Sequence, residues 1–184
     1  MSRRFHVCVF CGARSAGVPG HARAAAALGR RIGERGLGLV YGGARVGLMG
    51  TLADAALAAG APVLGVLPRS LSSVEVAHAG LTELVLVDGL HARKARMTAE
   101  SDAFVALPGG FGTLDELFEA LTWAQLGLHT RPLGLLNVDG FWDPLIATIE
   151  RQVESGYVTP ADRGRLSVER EPDALLDALG APRG

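Results

Sequence analysis

The feature that most constrains this chain is a set of short, almost uninterrupted apolar runs separated by longer stretches of helical periodicity. The runs are Val7–Cys11, Leu37–Tyr41, Pro62–Leu67, Leu84–Asp88, Ala103–Leu107 and Leu133–Asn137. A strand with one wet face alternates apolar and polar residues, whereas a strand covered on both faces has no polar side to show. Between the runs, residues 21–35, 48–59, 90–101 and 113–128 read as helices, and 141–155 and 173–179 continue the pattern. This alternation predicts a doubly wound, Rossmann-like α/β fold: a mostly parallel sheet, right-handed crossovers and helices on both faces. Residues 1–184 carry no Ser/Pro-rich linker, charge block or internal repeat, so a single domain is expected.

Charge and hydropathy narrow the function classes. A formal net charge of −1 gives no broad basic field for nucleic acid. Mean hydropathy is positive at +0.26, yet the longest uncharged stretch, Ala55 to Pro68, is too short and too rich in Gly and Pro to span a bilayer. The apolar run His6 to Cys11 behind Arg3 and Arg4 is too short for a signal-peptide core. The expectation is a soluble, cytoplasmic protein with neither membrane nor nucleic acid as partner. Cys8 and Cys11 have C-x-x-C spacing, but no second Cys/His pair completes a zinc site. On a strand, residues three apart face opposite sides, so these read as two separately buried thiols and no metal is expected.

In an open parallel sheet, ligands bind beyond the carboxyl ends of the strands. The unusual sequence lies at those ends: Cys11–Ser15, Tyr41–Arg45, Pro68-Arg69, Pro108–Gly110 and Asn137–Asp139. Short β–α loops need Gly, Pro and Asn for their geometry alone, but two Gly-Gly turns that each open a helix ask for more. In Gly109-Gly110-Phe111-Gly112-Thr113 the glycines admit an anion close to the backbone, and the following helix adds unpaired N–H groups and its dipole. Two nucleotide fingerprints fail. A P-loop needs G-K-[ST], whereas Leu48 and Met49 follow Gly47. The dinucleotide pattern G-x-G-x-x-G meets Asp115 at its last position. A mononucleotide or phosphosugar is left.

On spacing, Thr113 and Glu116 read first as a capping box, the two side chains satisfying open N–H groups of the helix start; the rival reading is a carboxylate working on a ribose. Arg93 and Lys94 lie about 100° apart on a predicted helix, so at most one can point fully into a cleft. An arginine fork suits phosphate or a sugar-bound oxyanion better than a lysine does. Lys94 is the only lysine, which raises a Schiff-base reading that no other feature supports. A solvated basic face remains the alternative for both, as it does for Arg45 in its loop.

With these residues in view, the chain resembles the LONELY GUY (LOG) family, cytokinin riboside 5′-monophosphate phosphoribohydrolases. The resemblance runs through Cys11-Gly12, Tyr41–Gly43, Gly47–Gly50, Glu75–His78, Arg93-Lys94, Pro108–Glu116, Thr122–Gly127 and Gly134–Gly140. It implies hydrolysis of the N-glycosidic bond of a nucleoside 5′-monophosphate such as an N6-modified AMP, releasing free base and ribose 5-phosphate. It further implies a homodimer without metal or organic cofactor. Arg93 and Glu116 match the family's catalytic positions. Glu75, Gly109, Gly110, Phe111, Gly112, Thr113, Leu114, Asp115 and Thr122 match substrate-binding positions, with Lys94, Met97, Gly42 and Gly43 as further binding candidates. Ala13 stands where the family often has Ser, and Ala44 where it often has a third glycine; both bear on substrate detail rather than reaction type. Family members often carry a lysine decarboxylase label, but nothing in this sequence supplies a pyridoxal-phosphate site. The competing class is a binding module, either a molybdenum-cofactor carrier or a nucleotide-sensing regulator, which would hold its ligand without cleaving it.

Overall fold

The computed structural model describes residues 3–14, 17–71 and 77–183. Among these, seven strands form one parallel sheet: β1 (His6–Phe10), β2 (Gly38–Tyr41), β3 (Val63–Pro68), β4 (Glu83–Val87), β5 (Ala103–Ala106), β6 (Leu133–Leu136) and β7 (Leu166–Glu169). Their order is β4-β3-β2-β1-β5-β6-β7. The chain therefore lays strands outward from β1 in one direction, then returns to place β5 on the other side of β1. Between β1 and β5 lies the switch point at which the doubly wound rule places a ligand.

Helices α1 (Pro19–Glu34), α2 (Gly47–Ala58) and α7 (Pro172–Ala178) share one apolar core with one face of the sheet. Helices α3 (Leu90–Ala99), α4 (Phe111–Gln125) and α5 (Asp143–Glu154) contribute to the core on the other face. A single turn, α6 (Pro160–Arg163), precedes β7. The central strands β1, β2, β5 and β6 are buried almost throughout, as their unbroken apolar runs require. Val7, Val9 and Cys11 enter the first core, and Cys8 and Phe10 the second, so the two thiols do point to opposite faces. Both are pushed up in pKa, first by burial and next by the charge of Glu116, with Arg93 opposing; they are inert thiols.

Two elements depart from the sequence reading. Strand β7 and the turn α6 are additional. Leu-Ser-Val-Glu alternates and lies at the sheet edge, where one side of a strand can stay polar, so it lacks the apolar run that marked the others. At the opposite edge β4 leaves Leu84 and Leu86 exposed despite its apolar sequence. The other boundaries fall within about two residues of expectation.

Candidate active site

The loops after β1, β2, β5 and β6 and the starts of α1, α2 and α4 converge at the switch point. β1 ends at Phe10, and the Gly12 amide donates to the Pro108 carbonyl (3.1 Å), binding the β1 and β5 exits side by side. The Gly12 carbonyl accepts from the Leu48 amide (3.0 Å), which spends one first-turn donor of α2 on the protein itself. Gly47, at φ +59°, makes that approach possible, since any Cβ there would strike the Ala13 main chain.

Helix α4 is different. Its N-cap is Gly110, with no side-chain cap, and its first turn is Phe111, Gly112 and Thr113. The capping box read from Thr-x-x-Glu is therefore absent: the helix starts earlier, which puts Thr113 inside the first turn and Glu116 nearly a turn further on. Thr113 is buried, and its hydroxyl has no hydrogen-bond partner among the described residues. A Cβ at Gly109 would collide with Thr113, whereas Gly110 and Gly112 face open space. The fold needs a glycine at the first position, and the two open ones leave the amides of the turn accessible. A helix start of this kind has the donors and the dipole that suit an anion.

These groups line a cleft of about 780 Å³, within the range of small-molecule sites. Gly109–Thr113 form one wall, Arg93 and Glu116 the floor. Arg93 is 5% exposed and Glu116 8%. Arg93 comes from α3, its Nε donating to the Val66 carbonyl (3.0 Å) and its Nη2 to the Gly42 carbonyl (2.8 Å). Two main-chain oxygens at the ends of β3 and β2 thus fix the plane of the guanidinium. Gly42 is glycine for this reason, because a Cβ there would fall on the Arg93 fork. Gly43, at φ +81°, turns the chain behind it.

Several candidates lie outside the lining. Lys94 points away, paired with Asp115 (3.0 Å) and Glu119 (2.8 Å) of α4. Burial alone would lower its pKa, but the bonds to Glu119 and Asp115 outweigh it and leave it raised, the opposite of what a Schiff-base lysine needs. Of the adjacent Arg93 and Lys94, one enters the cleft and the other bolts α3 to α4. Met97 is in the core beneath the sheet, Leu114 packs against that same core, and Asp115 serves Lys94. Thr122 is exposed on α4. Glu75 lies outside the described residues. Arg45 is exposed and does not line the cleft. Ala13 lines the cleft, and Ala44 is buried without a positive φ, so the alanine there costs the turn nothing.

The structure also brings in Val18, His21 and Phe141, which no motif marked, and Arg14, Leu48 and Met49 from the marked Cys11–Ser15 and Gly47–Gly50 segments. His21 sits in the first turn of α1 with its ring edge-on to Phe141 (5.3 Å, 83°). No spacing in the sequence links residues 18–21 to residue 141; the sheet order does. Among the described residues, no group of His, Cys, Asp or Glu is arranged to hold a metal ion, and no helix is long and apolar enough to cross a membrane.

Comparisons with known proteins accord with this geometry. The family model described as "Possible lysine decarboxylase" matches residues 49–179. A Rhodococcoides fascians protein named cytokinin riboside 5′-monophosphate phosphoribohydrolase is 49% identical over 177 residues, 96% of this chain and 89% of the relative. An Arabidopsis thaliana protein of the same name is 47% identical over 162 residues, covering 88% of this chain and 75% of the relative. Among solved structures, the molybdenum cofactor binding protein of Rippkaea orientalis superposes with a TM-score of 0.73 at 21% identity, covering 98% of each chain. The molybdenum cofactor carrier protein of Chlamydomonas reinhardtii gives 0.73 at 20% identity, covering 97% of each. At such identities these two speak to the fold alone.

Proposed function

We infer the activity from a fixed premise: the chain belongs to the LONELY GUY family of cytokinin riboside 5′-monophosphate phosphoribohydrolases, the group that also carries the lysine decarboxylase description. It is accordingly an N-glycosidic bond hydrolase acting on a nucleotide-type substrate. The observation that carries the reading to individual residues is that Arg93 and Glu116, both more than nine-tenths buried, share one cleft with an open helix start.

The proposed substrate is adenosine 5′-monophosphate or its N6-modified forms. Its phosphate takes the amides of the Gly110–Thr113 turn and the Thr113 hydroxyl. Water attacks C1′ as the C1′–N9 bond breaks; its oxygen goes to the sugar, one proton ends on the base, and free base and ribose 5-phosphate leave. The transition state carries oxocarbenium character. A carboxylate at the ribose offsets that charge or takes the water proton, and we assign this to Glu116. Arg93 clamps substrate oxygens; because its fork is held by carbonyls, it meets the substrate already oriented. Lysine decarboxylation has no support here, the sole lysine being tied into Asp115 and Glu119.

A homodimer and a cytoplasmic location belong to the same proposal. Leu126 and Leu128, 67% and 68% exposed at the end of α4, with Phe118 half-exposed on that helix, support the dimer. The test of the activity is release of free base from AMP and N6-prenylated AMP. No release from any common nucleoside monophosphate sinks the proposal. Glu116→Gln and Arg93→Ala are expected to lose roughly 10²–10⁴-fold in turnover while keeping the native circular dichroism, and a fully active Glu116→Gln would remove Glu116 from the chemistry.

A further inference from the structure

Proceeding from the function just proposed, we propose that His21 is a phosphate ligand: the imidazole at the start of α1 closes the cleft opposite the Gly110–Thr113 turn and donates a hydrogen bond to the substrate's 5′-phosphate. Three observations lead there. His21 is 7% exposed and lines the cleft, yet neither of its ring nitrogens has a hydrogen-bond partner among the described residues. No His21 ring nitrogen is among the fully enclosed unpartnered polar atoms, so the little exposure the ring keeps opens on the cleft it lines, where a ligand can supply the missing partner. Its ring is held edge-on by Phe141, itself braced edge-on by Trp142 (4.8 Å, 85°), so the imidazole is oriented before any ligand arrives.

The surrounding groups decide in favour of the phosphate over the sugar or base. The floor at Arg93 and Glu116 is anchored from the β2 and β3 side, through Gly42 and Val66. His21 approaches from the opposite face of the sheet, on α1, beside Phe141, which follows β6. Arg14 lines the same cleft, and α4 presents the open amides of its first turn. An imidazole N–H, a guanidinium and a helix start together suit an anion. Gly20, next to His21, is approached by the Asp139 carboxylate and faces a separate polar cavity, so the acidic group occupies the outer side of the α1 start and His21 the inner side. In this arrangement the phosphate sits between two helix starts from opposite faces of the sheet, and a nucleoside without phosphate lacks both.

The experiment is calorimetric titration of the full chain with ribose 5-phosphate and, separately, adenosine. His21→Phe keeps a ring against Phe141 and removes both nitrogens; it is expected to weaken ribose 5-phosphate by about tenfold or more, a typical loss for a hydrogen bond to a charged group, and to change adenosine affinity less than twofold. His21→Gln, which keeps a donor, is expected to recover most of the loss, a rescue that a purely structural role does not produce. Ribose 5-phosphate affinity unchanged in His21→Phe overturns the inference, as does an equal loss for adenosine, which would place His21 on sugar or base. Base release from AMP, run in parallel, keeps the two claims separate: normal release with unchanged phosphate binding in His21→Phe rejects His21 alone. Phosphate binding through His21 without release in the wild type rejects the hydrolase and leaves the ligand assignment standing.

Discussion

Two main-chain oxygens, those of Val66 and Gly42, help to set the place of Arg93. Those bonds fix the direction in which the guanidinium fork is presented. The prediction is local: Gly42→Ala puts a methyl where the Arg93 fork lies, and turnover is expected to fall about 10²-fold, the typical penalty of a misplaced reacting group. Gly110→Ala is the complementary case. It meets nothing within 4 Å, so stability measured by urea denaturation is expected to stay within about 1 kcal/mol, while KM for AMP rises as the methyl enters the phosphate's space. Unchanged KM would mean the phosphate lies elsewhere. At this scale the glycine turn was legible in residue type and spacing, whereas Arg93 stood out only through the family resemblance, spacing having left a solvated basic face open. His21 and Phe141 were not legible, because a histidine in a first helical turn looks the same whether it faces solvent or a cleft.

Elements carry their own electrostatics. Arg35, buried at the end of α1, holds Asp173 and Asp177 of α7 (2.6 and 2.9 Å), and Arg31 and Arg183 flank the pair. The hydrogen bond from Arg183, with Arg35 adding to it, depresses Asp177 from its ordinary 3.8 to about 2; Asp173 is lowered chiefly by Arg31. A folded-state pKa below the unfolded one contributes stability above the unfolded value and loses it as pH falls through the folded value. The melting temperature is thus expected to drop between about pH 4 and pH 2, and Asp177→Asn to flatten that slope; an identical slope would show the clasp to be idle. The clasp was invisible in the sequence, its partners lying more than a hundred residues apart. Where reading by element went astray it was for physical reasons: α4 starts at Phe111 because glycine can cap it without a side chain, and β7 could stay half-polar because it has a neighbour on one side only.

At the scale of the whole molecule, the apolar runs were sufficient to predict a parallel sheet with helices on both faces, since only such a sheet hides so many apolar strands. They did not give the strand order, and it is the order that gathers loops from β1, β2, β5 and β6 into one cleft. The proposed dimer belongs to this scale too. Light scattering is expected to report twice the 19.1 kDa chain mass, and Leu126→Asp with Leu128→Asp to shift it toward the monomer; a wild-type monomer would remove the dimer from the proposal. The placement of β1 at the centre of the sheet also has a consequence in time. Its partners β2 and β5 lie about 30 and about 95 residues downstream, and long-range parallel pairing is the slow part of folding. As the chain leaves the ribosome, β1 to β4 can assemble first, leaving one flank of β1 bare until β5 arrives. The seam beside the cleft therefore stays open until β5 has emerged, and a nascent chain halted before residue 103 is expected to hold half a sheet with no site at all.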